Sequence, residues 1–290
     1  MKRMLTSTLL FAFLPLIGHA PVLACDEDPK PVSKSARAVA GPIAAQYRDA
    51  ADRIIAATMA GNDAWRKLEE LCDDIGHRLS GSPQLNQAVD WAVEAMRRDG
   101  QENVRREKVM VPHWVRGAES ATMVQPRVEP FLILGLGGSV GTPPEGITGE
   151  VLVVEDEAAL EASGDAARGK IILVNNAMPA YHPETGSGYG TAVRFRVRGA
   201  QLAARKGAIG CLVRSVTAYS LRTPHTGAMS YGDLPEDQRI PAASITVEDA
   251  DLIARLARRG TPVAVNLKME AKTLPDAESA NFIAELRIGL

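Results

Sequence analysis

The chain ends with an alternating stretch, SANFIAELRIGL (Ser279–Leu290). When it is extended, one side carries the apolar residues Phe282, Ala284, Leu286 and Ile288. Polar residues such as Glu285 and Arg287 fall on the other side. A period of two predicts a β-strand with one face against a core. Because a strand bonds its backbone groups to a neighbour, the fold depends on which segment pairs with this one.

A second alternating segment, VRREKVMVPHW (residues 104–114), is the predicted partner of the terminal strand. Between them lie several short apolar strands: GEVLVVED, GKIILVNN, AIGCLVRSV, AASITV and PVAVNLKME. Two helices accompany these strands, RGAQLAARKG and TVEDADLIARLARRG, and the second opens with Thr246 and Asp249 in capping-box spacing. This order predicts an α+β unit inserted between two strands of another domain. LPDAES (residues 274–279) is the predicted connection into the terminal strand.

Helices are predicted before residue 104. The sequence NDAWRKLEELCDDIG (residues 62–76) has an apolar face made of Leu68, Leu71, Cys72 and Ile75. The sequence SPQLNQAVDWAVEAMRRDG (residues 82–100) begins with Ser82 as N-cap and Pro83 at the first helical position. Cys72 on the first helix and Cys211 within a strand are predicted to be buried free thiols.

Composition narrows the class of protein. With 290 residues the chain is long enough for two domains, and 46% hydrophobic residues are typical of a globular protein with a full core. The net charge of −2 leaves no basic surplus for binding phosphates. Nucleic acid is therefore excluded as a predicted partner.

The N-terminus predicts export. Lys2 and Arg3 precede a short apolar run and then small residues, which is typical of a signal peptide spanning residues 1–24. The sequence VLAC resembles a lipobox ending at Cys25, so membrane anchoring through a lipidated Cys25 and ordinary cleavage both remain open. Residues 25–35 are predicted to be a tether. The predicted locations are the periplasm, a membrane-anchored lipoprotein state or the extracellular space.

Two short motifs suggest chemistry, but their context argues against it. GGSVG (residues 137–141) fits the nucleophile elbow around Ser139, yet the following prolines and glycines preclude the helix that the elbow requires. We interpret it as a glycine-rich crossing loop. GDAARGKI (residues 164–171) resembles a phosphate-binding loop, but Ile171 opens a strand, so Gly169–Lys170 is predicted to be a turn.

The remaining candidates are weaker. GSGYG (residues 186–190) is predicted to be a flexible loop, and RFRVR (residues 194–198) presents three alternating guanidiniums that are more typical of a solvated face than of a carboxylate grip. No helical pair of metal-ligating histidines is present. The mature chain's histidines are His77, His113, His182 and His225, and each is predicted to be solvated or hydrogen-bonded rather than a ligand.

Several segments together resemble the N-terminal portion of carboxypeptidase Q-like peptidases, a family of co-catalytic di-zinc exopeptidases. The resemblance is carried by DIGHRLSGSPQLNQAVDWAVEAMRRDGQENV, VMVPHWVRGAES, LGGSVGTPPEGITGEV, RGKIILVNN, VRGAQLAARKGAIGCLVRSVTAYSLRTPHTG, IPAASITVEDADLIARLARRG and TLPDAESANFIAEL. They cover nearly the whole chain after the signal. As a set they are far more specific than any single motif.

The resemblance implies an α/β fold with an α+β insert. The N-terminal helices and first strands of a di-zinc peptidase α/β/α sandwich are interrupted by a β-rich protease-associated domain. The implied boundaries are residues 36–117 for the first part of the peptidase domain, 118–272 for the protease-associated domain and 273–290 for the start of the remaining peptidase domain.

The resemblance also implies zinc, two ions in the intact family, and a peptide or dipeptide substrate hydrolysed at a chain end. The family's zinc ligands and catalytic Glu lie downstream of the segment that matches ANFIAEL, so no catalytic or metal-binding residue is assigned to this chain. The expectation is a truncated exopeptidase that is inactive by itself. The alternative is a non-catalytic lipoprotein whose protease-associated domain is a binding module. The sequence does not decide between carboxypeptidase and aminopeptidase action. It predicts no oligomeric state.

Overall fold

A computed structural model describes residues 41–219 and 221–286. The predicted signal peptide, the predicted tether and Cys25 lie outside the described residues. The chain divides into two compact units, one ending at Ala64 and the other beginning at Trp65. The described part of the first unit consists mainly of α1 (Pro42–Ala60), with a proline at its N-terminal end. No helix among the described residues is long and apolar enough to cross a membrane.

Two further helices and a π-helical turn precede the first strand: α2 (Asp63–Glu69), the π-helical turn (Glu70–Ile75) and α3 (Pro83–Arg98). The predicted start of α3 is confirmed, because the Ser82 hydroxyl accepts a hydrogen bond from the Leu85 N–H at 3.2 Å. A capped start with proline at the first position needs only local sequence, which is why the prediction succeeds.

The prediction for Cys72 is wrong. Cys72 is exposed, and Leu68 on the same predicted face is 49% exposed. The π-helical turn has more residues per turn than an α-helix, so Cys72, three positions before Ile75, turns away from it, whereas Leu71, four positions before Ile75, is half-buried as Ile75 is. Cys211, in contrast, is buried as predicted, and burial raises the pKa of its thiol to about 12.

The terminal strand pairs as predicted. β1 (Glu102–Val115) and β10 (Lys272–Glu285) form an antiparallel two-stranded sheet, in which Val109 lies opposite Ser279. α3 packs against this ribbon. The pairing joins two segments separated by the whole intervening unit.

The start and the buried face of the terminal strand are predicted wrongly. β10 begins at Lys272 and includes the predicted connection, because its partner β1 is equally long. The register shifts between Val111 and His113, where Pro112 faces the segment that contains Pro275. Proline has no N–H to donate, so a bulge accommodates it within the ribbon.

The predicted apolar face of β10 is largely exposed. Phe282 is 41% exposed and Leu286 is 77% exposed, whereas Ser279 is buried. Successive side chains of a strand point to opposite faces, and the buried face is the one that carries Ser279.

The larger sheet has eight strands, and all of them lie between Glu119 and Met269. In chain order they are β2 (Glu119–Gln125), β3 (Glu129–Phe131), β4 (Ile133–Gly135), β5 (Ile147–Val154), β6 (Ile171–Val174), β7 (Gly210–Arg214), β8 (Ala242–Ile245) and β9 (Ala264–Met269). In space the order is β3-β2-β9-β5-β6-β7-β8-β4, and β5 to β8 are parallel. The mixed α/β architecture is thus confirmed, while the assignment of residues 118–272 to a protease-associated domain stays a prediction.

The two edge strands of this sheet are neighbours in the chain. β3 and β4 lie at opposite ends of the strand order, yet only Leu132 separates them, so the sheet must curl until its edges approach each other. The Glu119 carboxylate of β2 accepts the Gly135 N–H of β4 with both oxygens, at 3.0 and 2.9 Å. This carboxylate therefore links β2, the neighbour of edge strand β3, to the opposite edge strand β4.

Helices cover both faces of the sheet: α4 (Glu157–Ala162) and α5 (Tyr189–Arg205) on one, and α6 (Val247–Arg258) on the other. α6 is capped as predicted, because the Thr246 hydroxyl accepts the Asp249 N–H at 3.1 Å. The Asp249 carboxylate instead accepts the Leu132 N–H at 3.2 Å. Asp249 thus also fixes the link between β3 and β4.

Residues 194–198 do not form one arginine cluster, although Arg194 and Arg198 are exposed as the interpretation of a solvated face predicts. They lie inside α5, where positions two apart are about 200° apart around the axis, so their three guanidiniums do not share a face. The Arg194 guanidinium instead lies over the Phe195 ring, and the Arg196 guanidinium lies over the Tyr189 ring. Tyr189 and Gly190 belong to this helix too, so only the first part of the predicted loop at 186–190 precedes it.

The link made by Glu119 predicts a pH dependence of stability. Burial raises the pKa of Glu119 above its ordinary value of 4.5, against the opposing effects of the Gly135 N–H and the Arg116 charge. The folded protein therefore holds this proton more tightly than the unfolded chain, and the stability it contributes is lost as pH rises through the raised pKa. We expect the unfolding free energy of the wild type, relative to Glu119→Gln, to fall as the pH rises above 4.5 and through the raised pKa of Glu119.

Urea denaturation at a series of pH values measures this difference. The exposed carboxylate of Glu107 provides a matched control, as Glu107→Gln. If the wild-type and Glu119→Gln curves ran parallel over the whole range, the effect assigned to Glu119 would be absent.

Candidate functional site

A cleft lies where the turn before α3, the end of β1 and strand β4 meet. Its volume is about 630 Å³, within the range of small-molecule sites. We call it the Trp114 cleft and define it by His77, Leu79, His113, Trp114, Arg116 and Leu134. The residues come from three parts of the chain that are distant in sequence.

A glycine fixes one wall of the cleft. Gly81 has a φ of +78°, and a Cβ at this position would lie 2.8 Å from the imidazole of His113. Only glycine combines this backbone conformation with so close an approach. The turn between the π-helical segment and α3 therefore packs directly on His113 of β1.

Trp114 joins the cleft to the larger sheet. Its indole N–H donates to the Ser139 carbonyl at 2.8 Å. The guanidinium of Arg116 lies over the Trp114 ring, 5.4 Å from its centroid. The interaction of a guanidinium with an aromatic face is attractive, so it helps to hold Arg116 at the cleft.

The cleft favours negative charge. Its lining holds the Arg116 guanidinium and two imidazoles, and no acidic side chain among the described residues lines it. The Nε of Arg116 is buried without a hydrogen-bond partner. Glu119 attracts Arg116 electrostatically, but both Glu119 oxygens accept the Gly135 N–H.

The Ser139 side chain does not line the Trp114 cleft. It is fully buried, and its hydroxyl donates to the Val140 carbonyl at 2.9 Å and accepts the Ala242 N–H at 2.8 Å. No helix follows it before β5. The structure thus agrees with the interpretation of this segment as a crossing loop.

The other phosphate-binding-like motif is also structural. Gly169 has a φ of +70° and Lys170 directly precedes β6, so the predicted turn is confirmed. The Lys170 ammonium pairs with the Glu150 carboxylate at 2.5 Å. This lysine is therefore engaged within the sheet.

The histidines separate into two groups. His77 and His113 line the Trp114 cleft, whereas His182 and His225 are exposed in loops elsewhere. The meeting of His77 and His113 was not predicted, because no spacing rule connects a turn before α3 with the end of β1. Among the described residues, no group of three or more His, Cys, Asp or Glu side chains is arranged to hold a metal ion.

Arg116 and Leu134 were missed as well. One signal was available for Arg116: it follows Trp114 by two positions at the end of a strand, and such residues share a face. Leu134 gave no signal, since its approach to β1 depends on how the larger sheet curls.

Comparison with known proteins shows extended similarity. Carboxypeptidase Q from Bos taurus is 46% identical over 246 residues, covering 83% of this chain and 50% of that protein. Carboxypeptidase Q from Homo sapiens is 45% identical over 228 residues, covering 78% and 46%. The chain therefore spans about half the length of the curated relatives it matches. No family model matches the sequence.

Solved structures agree with this comparison. The crystal structure of a peptidase M28 precursor from Shewanella amazonensis SB2B superposes with a TM-score of 0.77 at 32% identity, covering 83% of this chain and 54% of that one. A zinc aminopeptidase from Bacillus subtilis superposes with a TM-score of 0.50 at 19% identity, covering 76% and 46%. The second likeness shows the fold alone.

The contact between Gly81 and His113 predicts a large effect of an added methyl group. We expect Gly81→Ala to lower the free energy of unfolding by about 2 kcal/mol or more, because it adds a clash to the backbone strain. Gly100→Ala is the matched control: Gly100 has a φ of +76° but nothing within 4 Å of its Cβ position. Urea denaturation measures the loss of unfolding free energy in each variant. Equal losses would show that the contact with His113 does not contribute to the effect of Gly81→Ala.

The indole bond of Trp114 gives a second prediction. Trp114→Phe keeps an aromatic ring under Arg116 but leaves the carbonyl of buried Ser139 without its donor. We expect a loss of about 1–3 kcal/mol in the free energy of unfolding. The exposed Trp65 serves as control, as Trp65→Phe, and a loss at Trp114 no larger than at Trp65 in thermal denaturation would contradict the expectation.

Proposed function

This chain belongs to the carboxypeptidase Q-like peptidases of the M28 family, and we propose that it supplies the scaffold and the inserted unit of an exported zinc-dependent exopeptidase. The observation that carries the proposal is the similarity to carboxypeptidase Q at 46% identity over 246 residues. The superposition on the peptidase M28 precursor supports it at the level of the fold. The proposed reaction of the intact enzyme is hydrolysis of peptide bonds at chain ends.

The inserted unit is proposed to be a protease-associated domain. Its entry and exit lie side by side, because the Ala118 N–H donates to the Glu270 carboxylate at 3.1 Å and the Glu270 N–H donates to the Ala118 carbonyl at 3.0 Å. A unit with adjacent ends can be inserted between two paired strands without disturbing them. This arrangement supports the proposed boundaries near residues 118 and 272.

The residues described here do not fit a two-zinc centre. His77 and His113 border the Trp114 cleft, but no acidic side chain among the described residues lines that cleft with them. We therefore assign no step of hydrolysis to this chain. Its proposed contributions are the β1–β10 ribbon, the packing of α3 and the placement of the inserted unit.

Export is part of the proposal. The basic start and short apolar run of residues 1–24 support a signal peptide, and VLAC supports lipidation at Cys25 as one of two processing routes. Mass spectrometry of the membrane fraction distinguishes the routes, since a lipidated Cys25 adds acyl mass to the mature N-terminus.

A non-catalytic binding module is the second candidate. The Trp114 cleft favours it, because the cleft offers volume and positive charge and needs no metal ion. Both candidates place the protein in the same family and differ in whether the chain is the scaffold of a hydrolytic enzyme or binds a ligand without hydrolysis.

The purified 290-residue protein tests the proposal. We expect no release of amino acids from a panel of dipeptides in the presence of excess zinc, and no tightly held zinc by elemental analysis. A full-length carboxypeptidase Q purified in the same way is the positive control. Zinc-dependent hydrolysis that EDTA abolishes would overturn the assignment of no catalytic residue to this chain.

A further inference from the structure

We infer that the Trp114 cleft is a binding site for a small organic carboxylate with an aromatic or branched aliphatic body. The inference goes beyond the proposed exopeptidase function and does not depend on it, since binding requires neither zinc nor hydrolysis. Three observations carry it: the size of the cleft, its apolar walls and the Arg116 guanidinium.

Size and walls define the body of the ligand. A volume of about 630 Å³ accommodates a molecule of one or two residues' size. Leu79, Leu134, Val115 and the Trp114 indole supply apolar surface. Transfer of an aromatic or branched side chain from water to such walls is favourable in proportion to the apolar area buried.

Arg116 defines the head group. Its Nε is buried without a hydrogen-bond partner, so the donors that a ligand in the cleft meets are the terminal nitrogens of the guanidinium. Its guanidinium is held over the Trp114 ring. A planar guanidinium matches a carboxylate with two parallel hydrogen bonds, so one carboxylate neutralises the charge and pairs with the two terminal nitrogens.

Glu119 attracts Arg116 electrostatically, but its carboxylate does not fill this role. Both oxygens of Glu119 accept the Gly135 N–H, at 3.0 and 2.9 Å, and Glu119 does not line the cleft. Around the cleft, His77 and Gln84 add polar groups that can bond the rest of a head group. The positive charge of Arg116 is thus available to a carboxylate from outside the chain.

A pair of nearly identical probes tests the charge. N-acetyl-L-phenylalanine carries the carboxylate and N-acetyl-L-phenylalaninamide has the same body without the charge. We expect the acid to bind at least about tenfold more tightly in isothermal titration calorimetry, because hydrogen bonds between charged groups are the stronger ones. Equal binding of the two probes, or no binding of the acid, overturns the inference.

A pair of variants tests the site. Arg116→Gln should weaken binding of the acid at least about tenfold and bring it to the level of the amide. The matched control is Arg105→Gln, since Arg105 is exposed on the β1–β10 ribbon and pairs with Glu107 at 3.4 Å. Unchanged affinity in Arg116→Gln, or the same loss in both variants, overturns the inference.

Fluorescence provides a readout tied to the cleft. Trp114 is the one tryptophan that lines the cleft in the described structure, so the acid should change the emission of wild type and of Trp65→Phe alike. The comparison of acid and amide needs only the wild type, so it tests the preference for a carboxylate even if Arg116→Gln does not fold. Zinc and EDTA should leave the binding unchanged, which separates this result from any failure of the proposed peptidase function.

Discussion

The antiparallel pairing of β1 with β10 is the interaction on which the second unit depends. It brings Val109 opposite Ser279 and so closes a loop of well over a hundred residues. Closing so long a loop in a flexible chain costs roughly 4 kcal/mol or more in entropy. That cost falls when the intervening segment folds, because Ala118 and Glu270 are then side by side. The inserted unit and the ribbon therefore stabilise each other.

The joint between ribbon and insert is tightly constrained. Gly117 has a φ of +67°, and a Cβ there would lie 2.6 Å from the Glu270 side chain. The Thr142 N–H donates to the Met269 carbonyl at 2.8 Å, while the Trp114 indole donates to the Ser139 carbonyl. The first bond holds the crossing loop against β9, the last strand of the insert, and the second holds it against β1. The crossing loop at residues 137–141, which resembles a nucleophile elbow in sequence, thus has a structural role where the ribbon meets the insert.

The Trp114 cleft is a consequence of the same joint. The last residues of β1, Trp114 and Val115, line it together with Leu134 of β4. The cleft lies between the ribbon and the larger sheet, and residues from both line it.

Sequence by itself determined the features that rest on neighbouring residues. The caps at Ser82 and Thr246, the turn before β6 and the burial of Cys211 follow from local patterns, and the order of the elements predicted the pairing across the insert. The resemblance to carboxypeptidase Q-like peptidases followed from many sequence segments taken as a set.

Tertiary structure decided the features that rest on distant residues. Cys72 is exposed because a π-helical turn changes the phase of its face, and β10 starts at Lys272 because β1 is long enough to pair with it. The arginines of residues 194–198 are divided between faces of α5, because Phe195 of this helix packs on the sheet. The meeting of His77, His113 and Arg116 at one cleft required the fold, because no local rule relates segments that only packing brings together.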